Sequence, residues 1–248
     1  MRLFTVVLAL TSSLAVAADA PDAQALIAES GKALFHQQPY RIQMHNDVQM
    51  QSASMNQAIA MDMTISVTPS RFRMDMSPAP MSATFVSDGQ FTYFYLAAMK
   101  KYMKKPAAGS PEAFAESLMP GMSSMIGQAN QLSTAKVVRE ETLTVGDLKR
   151  DCFVIEYTID KLSLTKPAQI AITNAKATVW IDKERKLSLK QTSDAEMQMG
   201  EPAPPMKIHQ ETTVTSLDLA PSFAADEFTF TPPEGTEQVD SLPGMPQS

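Results

Sequence analysis

Residues 41–50 read RIQMHNDVQM and residues 59–67 read IAMDMTISV. Apolar side chains occupy even-numbered positions in the first stretch and odd-numbered positions in the second. Because successive side chains of a β-strand point to opposite faces, this alternation is typical of strands with one apolar and one polar face. The two stretches therefore predict neighbouring strands of an antiparallel sheet.

The apolar face of these strands is rich in methionine, and the whole chain contains 18 Met residues. Methionine is unbranched and polarizable, so it suits surfaces that hold variable apolar shapes. The pattern favours a carrier of an apolar ligand, although the same side chains would also pack together in the core of any covered sheet. As the wall of a lipid-binding cavity we expect Ile42, Met44, Val48, Met50, Ile59, Met61, Met63, Ile65, Val67, Phe72, Met74 and Met76.

The remaining sequence predicts a mainly β (α+β) protein of about ten or eleven antiparallel strands. Asp22 is a helix cap, so a first helix is expected over 23–37. Asp88-Gly89 predicts a tight turn between two strands. The strands are expected at about 41–51, 57–67, 70–76, 82–87, 91–95, 99–104, 136–144, 148–159, 169–182, 186–197 and 206–219, with a last short strand at 228–230.

A helical insert is expected at about 111–131, because Ser110-Pro111-Glu112 is typical of a helix start. Apolar residues then recur at helical spacing, and we expect them to close over the Met-rich face. This part of the lipid-binding set consists of Phe114, Leu118, Met122 and Met125.

The N-terminus has the features of a secretory signal peptide. A single positive charge at Arg2 precedes an apolar run that ends in Ala15-Val16-Ala17. We expect cleavage after Ala17 in preference to Ala20, where Pro21 would follow the cut. Residues 18–248 are then an exported, soluble single domain in the periplasm, without a lipid anchor, and about 236–248 are expected to be a flexible tail.

Net charge, cysteine content and the absence of catalytic motifs argue against several functional classes of protein. The net charge of −6 argues against nucleic acid, which requires a basic face. Cys152 is the sole cysteine, so no internal disulfide can form, and its strand pattern predicts a buried side chain. The sequence has no nucleophile elbow, phosphate-binding glycine loop or zinc-protease motif. We therefore expect no enzyme activity and no cofactor.

Three motifs resemble the LolA/LolB-like lipoprotein-carrier family. Residues 86–95, VSDGQFTYFY, are similar to a hairpin of that family, and residues 179–182, VWID, match a strand end. Residues 227–235, EFTFTPPEG, resemble its C-terminal signature. The motifs occur in the family order and together span most of the chain.

This resemblance implies an unclosed antiparallel β-barrel with helices over its concave face and acyl chains between them. It also implies an acyl chain or lipidated protein as partner, and membrane-bound donor and acceptor proteins. We expect the protein itself to be a monomer. The carriers have an arginine before the proline that opens the third-strand region, where this chain has Thr68 before Pro69, so the chain is interpreted as a diverged member.

Two alternatives remain open at this stage. Thioethers are soft ligands that select Cu(I), and the pairs Met61/Met63, Met74/Met76 and Met197/Met199 each share one face of a strand. A periplasmic Cu(I)-binding or redox-buffering protein is therefore a second hypothesis. A third is an envelope-stress sensor or regulator that uses the same fold.

Overall fold

The computed structural model describes residues 21–36, 39–78, 82–107, 132–164, 170–199 and 205–242. The expected signal peptide and the helical insert at 111–131 lie outside these ranges. The described elements are helix α1 (Ala23–His36) and strands β1 (Tyr40–Gln51), β2 (Asn56–Val67), β3 (Phe72–Ser77), β4 (Ala83–Ser87), β5 (Phe91–Leu96), β6 (Lys101–Pro106), β7 (Thr134–Val145), β8 (Leu148–Leu164), β9 (Ile170–Asp182), β10 (Ser188–Met199), β11 (Met206–Asp218) and β12 (Glu237–Val239).

All twelve strands form one sheet in the order β12-β6-β5-β4-β3-β2-β1-β11-β10-β9-β8-β7. The pairs are antiparallel except β12 with β6, which is parallel. The described strands β12 and β7 are the two edges and do not pair, so the sheet is not closed into a barrel. The predicted fold class, a mainly β unclosed barrel with an N-terminal helix, is confirmed, with twelve strands in place of ten or eleven.

The register confirms the predicted apolar face of β1 and β2. Ile42 lies opposite Ile65, and Ile65 lies opposite Met74 on β3. The same row continues through Phe85 and Phe94 to Met103 on β6. We call the face that carries this row the inner face and the opposite one the outer face.

Helix α1 covers part of the inner face. Its N-terminus is capped by Asp22, whose Oδ1 accepts hydrogen bonds from the backbone N–H of Gln24 at 2.9 Å and of Ala25 at 3.2 Å. Ala23 and Leu26 are buried against a second apolar cluster that includes Ile155, Val179 and Ile181. Together with Ala135 and Val137 of β7, these apolar partners place α1 over strands β7 to β9.

The outer face is crossed by a C-terminal strap, residues 219–236. Glu227 anchors it, since its carboxylate lies 2.8 Å from Arg41 Nη2 and accepts a 2.7 Å hydrogen bond from Ser66. Burial alone would raise the pKa of Glu227, but the bonds from Ser66 and Arg41 hold it below its usual value. Arg73 donates to the backbone carbonyls of Glu227 at 3.2 Å and Thr229 at 3.5 Å.

The predicted last strand at 228–230 is wrong. Residues 225–228 form a turn, and the backbone carbonyls of Glu227 and Thr229 accept hydrogen bonds from the side chain of Arg73 rather than from a neighbouring strand. Phe228 is buried, with the guanidinium of Arg71 4.7 Å above its ring. Phe230 stacks on Tyr93 at 5.2 Å between ring centroids. The aromatic signature of the C-terminus therefore fastens the strap to the outer face.

The predicted flexible tail is wrong for its first part. Glu237–Val239 form β12 beside β6, where Glu237 pairs with Lys101 at 3.4 Å and Gln238 accepts a 3.1 Å hydrogen bond from Tyr102. Leu242 is buried in the main core. Residues 243–248 lie outside the described ranges.

Candidate ligand-binding site

A cavity of about 320 Å³ lies between α1 and the inner face of the sheet. Its apolar wall comes from strands that are distant in sequence but adjacent in the sheet. Ile42 and Met44 of β1 contribute together with Val214 of β11, Leu189 of β10 and Ile181 of β9. The volume lies near the lower end of the range of about 300–1,000 Å³ for small-molecule sites, so it has room for one slender apolar ligand.

Small residues of α1 create this space. Ser30 and Gly31 line the cavity on the helix side, and the buried Ala33 follows them. Glycine inside a helix costs about 1 kcal/mol relative to alanine, so its use here needs a compensating reason. A gap between the helix and the sheet is such a reason, because larger side chains at these positions would fill it.

The cavity also has a polar side. Gln191, Gln210, Thr212 and Tyr157 line it. Buried Asn46, next to Met44 on the same face of β1, accepts hydrogen bonds from Thr212 at 2.8 Å and Gln210 at 3.0 Å. An apolar compartment with a few convergent polar groups is the usual composition of a small-molecule site.

Only two of the predicted wall residues, Ile42 and Met44, line this cavity. Ile65, Val67 and Phe72 share the inner face and are buried in the main core. The half-buried members on this face are Val48, Met50, Ile59, Met61, Met63, Met74 and Met76. The predicted lid residues Phe114, Leu118, Met122 and Met125 lie outside the described ranges.

Most of the cavity lining was not predicted, because it comes from α1 and from β9 to β11. The alternation of Ala177, Val179 and Ile181 could have predicted part of it, because these three residues are apolar, buried and on one face of β9. The sequence does not show that β11 lies beside β1. The register places Val214 opposite Met44 across that junction.

Three methionines form a row across the inner face. Met63 of β2 lies opposite both Met44 of β1 and Met76 of β3. Directly opposite residues of antiparallel strands have Cβ atoms about 4.5–5.5 Å apart, so their thioethers are neighbours. Met197 lies opposite Met206, whereas the side chain of Met199 is outside the description.

A second cavity, of about 350 Å³, opens on the outer face between β7 and β10. Its lining carries charges of both signs, from Lys136, Glu156, Lys176 and Asp194. Such a lining is unsuited to an acyl chain. The slightly smaller cavity under α1 is therefore the candidate site for an apolar ligand.

Cys152 is fully buried, as predicted, and burial raises the pKa of its thiol to about 12. Two histidines lie on the outer face in ion pairs, His45 with Asp62 at 2.6 Å and His209 with Asp194 at 2.8 Å. No group of three or more His, Cys, Asp or Glu side chains suited to a metal ion occurs within the described ranges.

Two resemblance motifs have structural roles. Asp88 Oδ1 accepts hydrogen bonds from the backbone N–H of Gln90 at 2.8 Å and Phe91 at 2.7 Å, and Gly89 adopts a φ of +96° that favours glycine. Asp182 is buried at the end of β9, where it forms an ion pair with Arg150 on β8. Asp88, Gly89 and Asp182 shape turns and do not line the cavity, whereas Val179 and Ile181 of the second motif do.

The family model described as "Predicted periplasmic protein (DUF2092)" matches residues 23–242. The chain belongs to this family. Among curated proteins, none matches the chain. Within the described residues, no helix combines the length and apolar character required to cross a membrane.

Several solved structures are similar to this family member. An uncharacterized conserved protein from Thermus thermophilus has a TM-score of 0.45 at 10% identity, over 88% of this chain and 98% of that chain. A LolA superfamily protein from Nitrosomonas europaea has a TM-score of 0.32 at 10% identity, over 85% of this chain and 99% of that chain. The lipoprotein LppX from Mycobacterium tuberculosis has a TM-score of 0.38 at 14% identity, over 77% of this chain and 92% of that chain.

Proposed function

We propose that this protein is a periplasmic carrier that binds an acyl chain of a lipid or lipoprotein beneath α1, without catalysis. The observation that carries the proposal is the cavity of about 320 Å³ between α1 and the inner face. Apolar side chains from four strands converge on it, among them Ile42, Ile181 and Val214.

The affinity would come from burial of methylene groups, each of which contributes about 0.8 kcal/mol. About ten carbons would gain on the order of 8 kcal/mol gross, before the costs of immobilising the ligand. No catalytic group is needed for such binding. Buried Cys152, with its raised pKa, offers no reactive thiolate.

Export fits this role. In the proposal residues 1–17 are a signal peptide, and residues 18–248 form one periplasmic domain that works as a monomer. The family description, a periplasmic protein, supports that compartment. The acyl chain would be received from and passed to membrane-bound partner proteins.

The test is extraction of the native protein. The protein is purified from the periplasm of its own source under mild conditions and analysed by native mass spectrometry, with lipid extraction of the same sample. A co-purifying molecule with an acyl chain, in stoichiometric amount, is the expected result. If the protein carries no such molecule and also fails to take up acylated ligands after purification, the carrier role is refuted.

A Cu(I)-binding role is the second candidate, supported by the cross-strand row of Met44, Met63 and Met76. Thioether sulfur is the ligand type that selects Cu(I). Met63→Leu separates the two roles, because leucine keeps the apolar volume and removes the central sulfur. Loss of a chelator-sensitive Cu(I) adduct with unchanged lipid binding would favour copper, whereas absence of any adduct in the wild type would exclude it.

A further inference from the structure

A polar belt crosses the inner face. It consists of Asn46 on β1, Gln210 and Thr212 on β11, Gln191 on β10 and Tyr157 on β8. The register places Thr212 opposite both Asn46 and Gln191, so these three side chains follow one another across three strands. All belt members except Asn46 line the cavity under α1.

The hydrogen bonds within the belt leave part of the hydrogen-bonding capacity of its side chains unused. Asn46 Oδ1 accepts from Thr212 and Gln210, and Gln210 Nε2 also donates to Thr212 Oγ1 at 3.4 Å. Gln191 Nε2 donates to the hydroxyl of Tyr157 at 3.4 Å. Among the described residues, none donates a hydrogen bond to the side-chain oxygens of Gln191 and Gln210. Both glutamines are half-buried, so these oxygens remain able to accept a hydrogen bond from a ligand.

The belt is uncharged. Burial raises the pKa of Tyr157, so its hydroxyl stays protonated at neutral pH. Lys190 is the one ionisable residue besides Tyr157 among the described cavity-lining residues. Its ammonium is engaged on the outer face, 2.7 Å from Glu211 and 5.4 Å from the ring centroid of Trp180. The polar side of the cavity therefore offers neutral donors and acceptors only.

We propose that the polar belt recognises an uncharged ester or amide group at the head of the bound acyl chain. This inference rests on the proposed carrier function and adds the class of head group. An amide side chain provides both an N–H donor and a carbonyl acceptor. Gln191 can therefore donate its second N–H to the carbonyl of an ester or amide, and both glutamines can accept from a neighbouring hydroxyl or N–H. A carboxylate would enter the same compartment without a cation to balance it, which is unfavourable.

Ligands of equal chain length test this inference. The delipidated full-length mature protein is titrated calorimetrically with 1-dodecanoylglycerol, 1-O-dodecylglycerol, sodium dodecanoate and an N-dodecanoyl peptide amide. The ester and the ether differ only in the carbonyl. We expect the ester or the amide to bind about tenfold more tightly than the ether, the effect of one satisfied hydrogen bond, and dodecanoate to bind more weakly than the ester. A preference for the peptide amide indicates a lipoprotein source, and a preference for the ester indicates a glyceride.

Variants of the belt complete the test. Gln191→Leu combined with Gln210→Leu should equalise the ester and the ether, while Gln49→Leu, an exposed glutamine on β1, should keep the difference. Ether binding by the double variant shows that its cavity is intact; if it fails to fold, the ligand ratios of the wild type decide. Equal affinities for the ester and the ether in the wild type would overturn the belt inference. Binding of dodecanoate as tightly as the ester would overturn it as well. Neither result would contradict the carrier role. Failure of all four ligands to bind refutes the carrier role itself.

Discussion

The replacement of Gly31 by leucine tests whether ligand occupies the space beneath α1. Gly31 lines the cavity from the helix side, so a larger side chain there would project toward the space. Leucine is a much better helix former than glycine, by roughly 0.8 kcal/mol, so the helix itself should not weaken. Any loss of binding would then come from the loss of space.

The expected magnitude follows from the volume that the new side chain removes. Leucine adds about four carbon groups, which would displace a similar number of ligand carbons from the cavity of about 320 Å³. At about 0.8 kcal/mol for each carbon, the ligand would lose about 3 kcal/mol of burial energy. That corresponds to roughly 100-fold weaker binding.

The assay is calorimetric titration of the delipidated protein with 1-dodecanoylglycerol. Lys32→Leu is the matched control, because Lys32 is exposed on the same helix and does not line the cavity. Thermal unfolding of both variants checks that the fold is intact. Wild-type affinity in Gly31→Leu, or an equal loss in Lys32→Leu, would refute the placement of the ligand beneath α1.

Three further predictions concern the framework. Glu227→Gln should lower the free energy of unfolding by about 1–2 kcal/mol at pH 7, measured by urea unfolding. The difference from wild type should disappear as the pH falls below about 4, because a carboxyl group with a lowered pKa stabilises the fold only while it is ionised. Exposed Asp226→Asn should show neither effect, and a difference that does not change with pH would contradict this reasoning. Asp182→Asn should lower the free energy of unfolding by about 2–4 kcal/mol, since it leaves Arg150 without its buried carboxylate partner. A change under about 1 kcal/mol would disprove the stabilising role of this ion pair. Cys152 should react with a thiol reagent at pH 8 only in denaturant, and stoichiometric labelling of the native protein would show that its thiol is accessible in the folded state.

Local patterns predicted the elements of this fold well. The alternation in 41–50 and 59–67 identified β1, β2 and the side chains that share their inner face, because the period of two is a property of the extended backbone. Asp22 predicted the start of α1, and Asp88-Gly89 predicted the β4–β5 turn, because the bonds that form them join residues close in sequence.

Predictions failed where the backbone partner is distant in sequence. Phe228 and Phe230 alternate like strand residues, but Arg73 and Glu227 hold this segment across the outer face in a turn. The apolar face of β1 to β3 remains a predicted ligand wall, and Ile65 on this face is buried in the main core. Alternation indicates which side chains leave water, and it does not indicate whether protein or ligand covers them.

The sequence by itself determined most of the strands, the capped helix and the apolar face, since each depends on interactions between residues near one another in the chain. Only the tertiary structure decided where the cavity lies. The pairing of β1 with β11 brings Met44 beside Val214 and Asn46 beside Thr212, and α1 then leaves Gly31 above them. Such a space depends on the relative positions of elements up to about 180 residues apart, which no local periodicity encodes.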